Sequence, residues 1–296
     1  DMYLICMKGY YNMDLTSPRT IRNIQEQFGF TFKKGLGQNF LTARNILEEI
    51  VDAAEIESGV IEVGPGFGVL TSELAQNSDK VVTIEIDERL IDVLDYTLAE
   101  YDNVKIINED ILKLDLKKVI DDEFNGEKVS IAANLPYYIT TPIITKLLEE
   151  KLPIKNIVVM VQKEVAERMS AKPSTKDYGA ITVLCQYYTE PSIVANVPAS
   201  LFVPPPKVDS AVLKLKVLDK PSVEVKDEGV FFRVVKAAFS QRRKTLLNCL
   251  SANFPIPKDE ISTLLESIGI APSRRGETLS LEEFANIADT LLQKIK

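Results

Sequence analysis

The tetrapeptide Asn134-Leu135-Pro136-Tyr137 combines residue types suited to chemistry on a planar group, and it follows the apolar run 129–133 (VSIAA). An apolar run that ends in a turn is typical of a buried strand, and open α/β sheets build their sites at the carboxyl ends of such strands. The Asn134 amide oxygen accepts hydrogen bonds, Pro136 holds nearby carbonyls in a set geometry, and Tyr137 offers a flat stacking face. Acceptors beside a stacking ring suit the exocyclic amino group of a base. The alternative is an ordinary Asn-x-Pro turn.

A glycine-rich turn at residues 62–68 (EVGPGFG) lies between a predicted strand and a predicted helix. Glycines allow a ligand to approach the backbone closely, and the start of the helix then faces that ligand. The dinucleotide fingerprint G-x-G-x-x-G is not matched, because the third glycine comes one residue early. The spacing is closer to the nucleoside-binding turn of S-adenosylmethionine enzymes, which predicts that Gly64 and Gly66 contact this cofactor. A turn that serves only packing is the alternative.

Acidic residues end the next two predicted strands. Glu85, about 20 residues past the glycine turn, suits a bidentate contact with ribose hydroxyls, and the apolar Ile86 follows it. Asp110 is placed to accept a hydrogen bond from an adenine amino group, and Ile111 can pack on the ring. Each acid alone could also be a solvated strand end or a helix cap. The glycine turn and both acids, at successive strand ends, together predict a nucleoside site.

The composition excludes several kinds of chemistry. The chain of 296 residues is 45% hydrophobic and 26% charged, like an ordinary globular protein, and its net charge of −8 argues against a wholly basic nucleic-acid coat. It has no histidine, which excludes Ser-His-Asp, Cys-His and histidine-metal chemistry, and its 3 cysteines show no CxxC spacing. We therefore expect no metal site. No apolar run approaches a membrane span and no signal sequence is recognised, so we expect a cytoplasmic protein.

Apolar runs alternate with helical periodicity, which predicts an α/β fold with a parallel sheet covered by helices on both faces. The predicted strands are 60–63, 81–86, 104–107, 129–133 and 157–161, with 192–197 and 210–217 as a closing pair. The predicted helices are 20–28, 45–54, 70–77, 89–101, 141–150, 178–188, 230–240, 245–252, 258–268 and 281–294. Segment 178–188 fits a helix or a strand, and the helix is favoured. Thr141 is expected to cap its helix, with Pro142 at the first position.

The chain divides most readily at a polar linker, residues 218–229 (LDKPSVEVKDEG). We expect a domain over 13–217 that carries the nucleoside site, and a small helical domain over 230–296. Residues 1–12 match nothing later in the chain and are left out of the predicted fold. Ser280 and Glu283 have the spacing of a capping box for the last helix.

Basic residues cluster at the sequence QRRK, residues 241–244, in the predicted helical domain. Such a cluster can bind phosphates even in an acidic protein, although cations also favour helix C-termini for purely structural reasons. The candidate phosphate-contacting residues are Lys33, Lys34, Arg242, Arg243 and Lys244, with Arg274 and Arg275 as further members.

Together these motifs resemble the KsgA/RsmA family of small-subunit rRNA adenine dimethyltransferases, and the match runs from about residue 30 to the end. The matching runs are GLGQNFL (35–41), EVGPGFG (62–68), EID (85–87), ED (109–110), NLPY (134–137), QKEVAERM (162–169), FVPPPKVDSAV (202–212), QRRKTL (241–246) and RRGETLSLEEF (274–284). The last run favours this family over the Erm-type 23S rRNA enzymes.

The resemblance implies a Rossmann-like, S-adenosylmethionine-dependent methyltransferase domain with a small all-helical C-terminal domain. It also implies dimethylation at N6 of two adjacent adenosines in the 3′-terminal stem-loop of 16S rRNA, within the small ribosomal subunit or its precursor. We expect a monomer. The cofactor contacts carried over from the family are Asn39, Leu41, Gly64, Glu85, Asp110 and Asn134.

The expected mechanism uses acceptors and no strong base. Asn134 and the carbonyl of Leu135 or Pro136 would accept the N6 hydrogens, while Tyr137 stacks on the target base. Phe202 is either a core plug or a second stacking face. A non-catalytic RNA-binding factor with the same fold is disfavoured by the intact NLPY run. An NAD-dependent oxidoreductase is disfavoured by the glycine spacing and the absence of histidine.

Overall fold

A computed structural model describes residues 13–31 and 39–295 of the chain. The predicted RNA-contacting residues Lys33 and Lys34 lie outside the described residues, as does the whole run GLGQ (35–38) before Asn39.

The described strands are β1 (Phe40–Leu41), β2 (Val60–Val63), β3 (Val81–Glu85), β4 (Val104–Asn108), β5 (Val129–Asn134), β6 (Ile154–Gln162), β7 (Thr189–Val197), β8 (Phe202–Val203) and β9 (Ser210–Val217). Within the described residues, seven of these form one sheet in the order β4-β3-β2-β5-β6-β9-β7, and β1 pairs with β8 separately. Strands β2 to β6 run parallel to one another, and β9 runs antiparallel to β6. The predicted α/β fold with a largely parallel sheet is confirmed.

The described helices are α1 (Pro18–Gln27), α2 (Arg44–Ala54), α3 (Val69–Gln76), α4 (Ile91–Thr97), α5 (Leu116–Phe124), α6 (Thr140–Glu149), α7 (Lys163–Met169), α8 (Ala180–Tyr188), α9 (Glu228–Ala238), α10 (Leu246–Asn253), α11 (Lys258–Ser267) and α12 (Leu281–Ile295). The helix at 178–188 was therefore the correct choice over a strand. Strand β2 is buried at all four positions, as expected for a parallel strand covered on both faces.

Helix α5 and the start of α6 differ from what the sequence predicts. Helix α5 was not predicted, although Asp115 caps it by accepting the Lys118 N–H and its apolar residues face the core. The predicted cap at Thr141 is wrong, because α6 begins at Thr140. The reason is that the preceding turn runs directly into the helix: the Pro136 carbonyl accepts hydrogen bonds from the Ile139 N–H and the Thr140 hydroxyl.

The described residues form two compact units. The first extends to Ala166 and adds Ser192–Val217, whereas the second contains Glu167–Pro191 and continues from Leu218. The domain predicted from the sequence over 13–217 includes the segment Glu167–Pro191. It belongs with the C-terminal helices because α8 packs on α9: the Tyr187 ring stacks on Phe231 with centroids 4.8 Å apart, and the Tyr188 hydroxyl donates to Glu228 at 2.7 Å.

The second unit also contains the predicted capping box at the start of α12. The Ser280 N–H donates to the Glu283 carboxylate at 2.9 Å, and the Glu283 N–H donates to the Ser280 hydroxyl at 3.2 Å. This pair satisfies two backbone donors that a helix N-terminus otherwise leaves without partners.

Candidate active site

One pocket lies at the carboxyl ends of β2, β3, β4 and β5, within the first unit. Parallel strands end at the same edge of a sheet, so residues that follow each strand are brought together there. Every residue predicted to bind the cofactor lines this pocket: Asn39, Leu41, Gly64, Gly66, Glu85, Ile86, Asp110, Ile111 and Asn134.

The glycine turn provides backbone without side chains at the pocket wall. Gly64 and Gly66 have φ angles of +71° and +59°, which glycine adopts without strain. A Cβ on Gly64 would meet no atom within 4 Å, so this position faces open space in the pocket. A Cβ on Gly66 would lie 2.6 Å from the Phe40 ring, which itself stacks on Phe67 with centroids 4.4 Å apart. The turn can therefore approach a ligand closely and is held from behind by aromatic packing.

Glu85 places a carboxylate in the buried part of the pocket. Its Oε1 accepts the Asp87 N–H at 2.8 Å, which fixes the side chain. Burial raises the pKa of Glu85 to about 7, against hydrogen bonds from the backbone N–H groups of Asp87 and Gly66 that favour the ionised form. Hydroxyl donors from a bound ribose would further favour the ionised form. Ile86, 54% exposed, places an apolar surface directly beside this acid.

Glu62 is a pocket residue whose importance the sequence did not reveal. Its side chain is 1% exposed in the middle of the sheet, and the Thr71 hydroxyl donates to its Oε2 at 2.5 Å. Burial raises the pKa of Glu62 to about 8, and the charge of Glu85 acts in the same direction. The only hint in the sequence is an acid within the otherwise apolar strand VIEV before the glycine turn.

Tyr138 is a second pocket residue that was missed. It is 57% exposed and lines the same pocket as Asp110. Partial burial raises the pKa of Tyr138, and the charges of Asp110 and Glu85, which line the same pocket, raise it further. Asp110 Oδ1 accepts the Leu112 N–H at 3.0 Å, so this acid also fixes its own turn.

The Asn134 amide is oriented by one hydrogen bond. Its Nδ2 donates to the Asn39 carbonyl at 2.9 Å, which turns Oδ1 away from that carbonyl and leaves it as an acceptor. The next residue, Leu135, is anchored through its N–H, which donates to the Met160 carbonyl at 3.1 Å. The Leu135 side chain is buried, so this residue can serve a ligand only through its backbone carbonyl.

The structure distinguishes between the two candidate carbonyl acceptors. The Pro136 carbonyl already accepts the Ile139 N–H at 3.1 Å and the Thr140 hydroxyl at 3.2 Å, which occupies both of its lone pairs. The Leu135 carbonyl accepts no hydrogen bond from the described residues. Asn134 Oδ1 and the Leu135 carbonyl are therefore the two candidate acceptors that no described residue occupies, although of the two carbonyl candidates only Pro136, and not Leu135, lines the pocket.

The two predicted stacking rings are placed differently. Tyr137 is half-buried outside the residues that line the pocket, and its hydroxyl lies 2.8 Å from Ser210 Oγ. Phe202 is 2% exposed and belongs to the hydrophobic core, next to Leu41 through the pairing of β1 with β8. Of the two roles considered for Phe202, the core plug is correct and the second stacking face is wrong, because its ring offers no free surface to a base.

The sequence of the chain matches a known family of enzymes. The chain matches the family model for ribosomal RNA adenine dimethylase over residues 29–293. The chain belongs to this family. It is 54% identical over 285 residues to ribosomal RNA small subunit methyltransferase A of Bacillus mycoides (strain KBAB4), which covers 94% of this chain and 98% of that protein. The protein of the same name from Bacillus anthracis (strain CDC 684 / NRRL 3495) has the same identity and coverage.

Solved structures agree with this family. A dimethyladenosine transferase from Plasmodium falciparum superposes with a TM-score of 0.73 at 30% identity, and the match covers 86% of this chain and 98% of that chain. The 23S rRNA methyltransferase ErmE superposes with a TM-score of 0.65 at 27% identity, covering 86% of this chain and all of that chain. The predicted Rossmann-like methyltransferase fold and the predicted enzyme class are confirmed.

The chain is thus an S-adenosylmethionine-dependent rRNA adenine dimethyltransferase. The pocket fits this cofactor on structural grounds, because it combines a glycine turn open to the ligand, a buried carboxylate for ribose hydroxyls, and apolar side chains at Ile86 and Ile111 for the adenine faces. In the described part of the chain, no helix has both the length and the apolar character needed to cross a membrane.

The basic turn of the dimethyltransferase, residues 241–244, lies in the second unit between α9 and α10. All four of its residues are exposed. Arg242 is held there, since its Nε lies 3.2 Å from the Glu277 carboxylate and its guanidinium also donates to the Lys176 carbonyl. Arg243 and Lys244 have no such partners among the described residues.

The two further arginines considered with this turn differ from each other. Arg274 makes a bidentate contact with the Glu283 carboxylate and also donates to the Thr278 carbonyl at 2.6 Å, so it holds the fold of its own segment. Arg275 is exposed. Arg275, and not Arg274, is therefore the one with a side chain open to a phosphate.

Proposed function

We propose that this dimethyltransferase methylates N6 of two adjacent adenosines in the 3′-terminal stem-loop of 16S rRNA, within the small ribosomal subunit or its precursor, as a cytoplasmic monomer. Support comes from the Bacillus relatives, which are named small subunit methyltransferases and share 54% of their residues with this chain. The observation that carries the proposed chemistry is the oriented pair of acceptors, Asn134 Oδ1 and the Leu135 carbonyl.

The acceptors address the main chemical difficulty of the reaction. Adenine N6 is a poor nucleophile because its lone pair is delocalised into the ring. When Asn134 Oδ1 and the Leu135 carbonyl accept the two N6 hydrogens, the nitrogen is drawn towards a tetrahedral geometry and its lone pair becomes available. S-adenosylmethionine supplies the electrophilic methyl group on its sulfonium sulfur. The contribution of the protein is positioning and electrostatic stabilisation.

No catalytic base is required. Methylated N6 carries a positive charge and is strongly acidic, so its proton passes to water. After the first transfer, one N–H remains and one acceptor is sufficient to hold it. This agrees with a chain that lacks histidine altogether.

The target base must leave its stack to reach these acceptors, because N6 is otherwise paired or covered by its neighbours. We assign Tyr137 to stack on the extruded base, since it follows the acceptors directly and remains partly exposed. Arg243, Lys244 and Arg275 are assigned to RNA phosphates, as are Lys33 and Lys34 on sequence grounds.

A second candidate substrate is 23S rRNA, because ErmE shares the fold at 27% identity. Primer extension after incubation with each rRNA separates the two, because N6,N6-dimethyladenosine stops reverse transcriptase. The proposal predicts adjacent stops near the 3′ end of 16S rRNA that disappear with the Asn134→Ala variant. Stops confined to 23S rRNA would refute the assignment to 16S rRNA.

A further inference from the structure

The hydroxyl of Tyr137 has a specific partner in a distant part of the sequence. Tyr137 Oη lies 2.8 Å from Ser210 Oγ, 73 residues further along the chain. Ser210 is 0% exposed, whereas the Tyr137 ring is only half-buried. The contact therefore joins a partly accessible ring to a side chain that is fixed in the sheet.

The topology of the sheet explains why Ser210 can reach this ring. Strand β9 runs antiparallel to β6, so it begins at the edge where the parallel strands β5 and β6 end. In the register of β6, Met160 pairs with Asn134 on one side and Gln162 pairs with Ser210 on the other. The first residue of β9 is thereby placed at the level of the turn that follows Asn134.

The backbone next to Ser210 is held by two hydrogen bonds. The preceding residue, Asp209, accepts the Lys163 N–H through its carbonyl at 3.0 Å and the Ala199 N–H through its carboxylate at 2.9 Å. Ser210 is thus a fixed point, and its hydroxyl determines where the end of the Tyr137 ring can lie.

We propose that Ser210 is a positioning residue for the target adenine, which it aligns by anchoring the ring of Tyr137. The inference rests on the proposed role of Tyr137 as the stacking face. A tyrosine ring turns about two side-chain bonds, and its hydroxyl lies on the axis of the outer one. Anchoring the hydroxyl therefore restricts rotation about the inner bond, which fixes where the ring lies. The extruded base then meets a ring that is already in place, so the ring does not have to be ordered during methyl transfer.

Two single variants and their combination test this inference. Ser210→Ala removes the anchor, and Tyr137→Phe removes the anchored hydroxyl while keeping the ring. Each should reduce the single-turnover methyl-transfer rate, at saturating cofactor and RNA, by about 3- to 10-fold, because one hydrogen bond usually contributes a free energy of that size. The double variant should be no slower than the slower single variant, since both remove the same hydrogen bond.

Ser130→Ala provides the matched control. Ser130 is also buried in the sheet and makes one hydrogen bond, from its hydroxyl to the Ala54 carbonyl at 2.6 Å, but it lies near the start of β5. This variant should lower the melting temperature without changing the transfer rate per folded molecule. The folded fraction of every variant is given by the stoichiometry of S-adenosylhomocysteine binding in calorimetry.

The outcomes separate this inference from the proposed function. Normal rates for Ser210→Ala and Tyr137→Phe, together with a large loss for Tyr137→Ala, would refute the anchoring and leave the stacking role in place. A normal rate for Tyr137→Ala would refute the stacking role itself. Defects in Ser210→Ala and Tyr137→Phe that multiply in the double variant would show independent effects and overturn the inference.

Discussion

The pocket of the first unit and the basic turn of the second unit are built in different ways. In the pocket, the groups assigned to chemistry are buried or fixed: Glu85 is held by the Asp87 N–H, and Asn134 by the Asn39 carbonyl. In the basic turn, Arg243 and Lys244 are exposed and make no ion pair with a described residue.

This difference follows from what each region has to do. Transfer of a methyl group depends on placing acceptors within a fraction of an ångström, which requires side chains that are held by their neighbours. Attraction of phosphates acts over about 8–10 Å at physiological salt and tolerates mobile side chains. The comparison predicts that changes in the pocket affect rate or cofactor affinity, and that changes in the turn affect only the salt-dependent binding of RNA.

Asn134→Ala should have the largest effect. It removes a fixed acceptor from the reacting nitrogen, and removal of one such acceptor slows catalysis by about 10²-fold or more. Single-turnover rates at saturating cofactor and RNA measure this effect. Some decrease in cofactor affinity is also expected, because Asn134 lines the pocket. Asn23→Ala, on the exposed face of α1, is the control, and a rate for Asn134→Ala within a few-fold of wild type would contradict the assignment.

Glu85→Gln should have the next largest effect, on cofactor affinity. A hydrogen bond to a charged group contributes about 1.5–3 kcal/mol, so the dissociation constant for S-adenosylhomocysteine should rise by about 10- to 100-fold. Calorimetry on the folded variant measures this change. Glu88→Gln, an exposed acid on the same loop, should bind normally. Equal affinities for Glu85→Gln and wild type would show that Glu85 does not hold the ribose.

The affinity for S-adenosylhomocysteine should also depend on pH. Burial raises the pKa of Glu85 from 4.5 to about 7, and the carboxylate must be ionised to accept two hydroxyl donors. Affinity should therefore increase roughly tenfold from pH 6 to pH 8, with release of a proton on binding. The chain has no histidine that titrates in this range, and the Glu85→Gln variant separates Glu85 from Glu62, the other pocket acid with a raised pKa. Glu85→Gln should flatten the profile, and an unchanged slope in that variant would exclude Glu85 as the titrating group.

The stability of the ligand-free protein should change in the opposite direction. Glu62 and Glu85 have pKa values raised from 4.5 to about 8 and about 7, so the folded state binds more protons than the unfolded state between these limits. The free energy of unfolding should accordingly fall as pH rises from about 5 to 8. Denaturant titration measures the free energy of unfolding across this range. If Glu62 and Glu85 made this free energy rise with pH, the result would contradict the burial of their side chains.

Changes at Arg243 and Lys244 should have the smallest effect. Replacing both with glutamine should reduce the slope of log affinity against log salt concentration by about 0.7–0.9 for each phosphate that the variant no longer neutralises. Binding of S-adenosylhomocysteine should not change. Lys258→Gln, an exposed lysine of α11, should leave the slope as it was. The same slope in the double variant and in wild type would show that the turn does not contact RNA.

Much of the fold could be predicted because the strands are continuous apolar runs. The bounds of β2 and β9 agree with the prediction at both ends. Helix α5 was missed because its charged residues interrupt the pattern, although Leu116, Val119 and Phe124 all face the core. The boundary between the two units could not be predicted from composition. Helix α8 belongs to the second unit because its Tyr187 packs against Phe231, which is a contact between distant residues.

The cofactor side of the site could be predicted for a similar reason. Glu85 is the last residue of β3 and Asp110 follows the end of β4 closely, and parallel strands gather such residues at one edge. The target side depends on contacts between distant residues. The burial of Phe202, the contact of Tyr137 with Ser210, and the use of the Pro136 carbonyl by the next helix are all tertiary features with no local pattern in the sequence.

The most direct test of the account is methyl transfer to small ribosomal subunits that lack the modification. The purified chain is incubated with labelled S-adenosylmethionine and these particles, and the 16S rRNA is digested to nucleosides. We expect the label in N6,N6-dimethyladenosine, with two methyl groups on each of two adenosines per particle. Label in another nucleoside, or none in 16S rRNA while 23S rRNA is methylated, would contradict it.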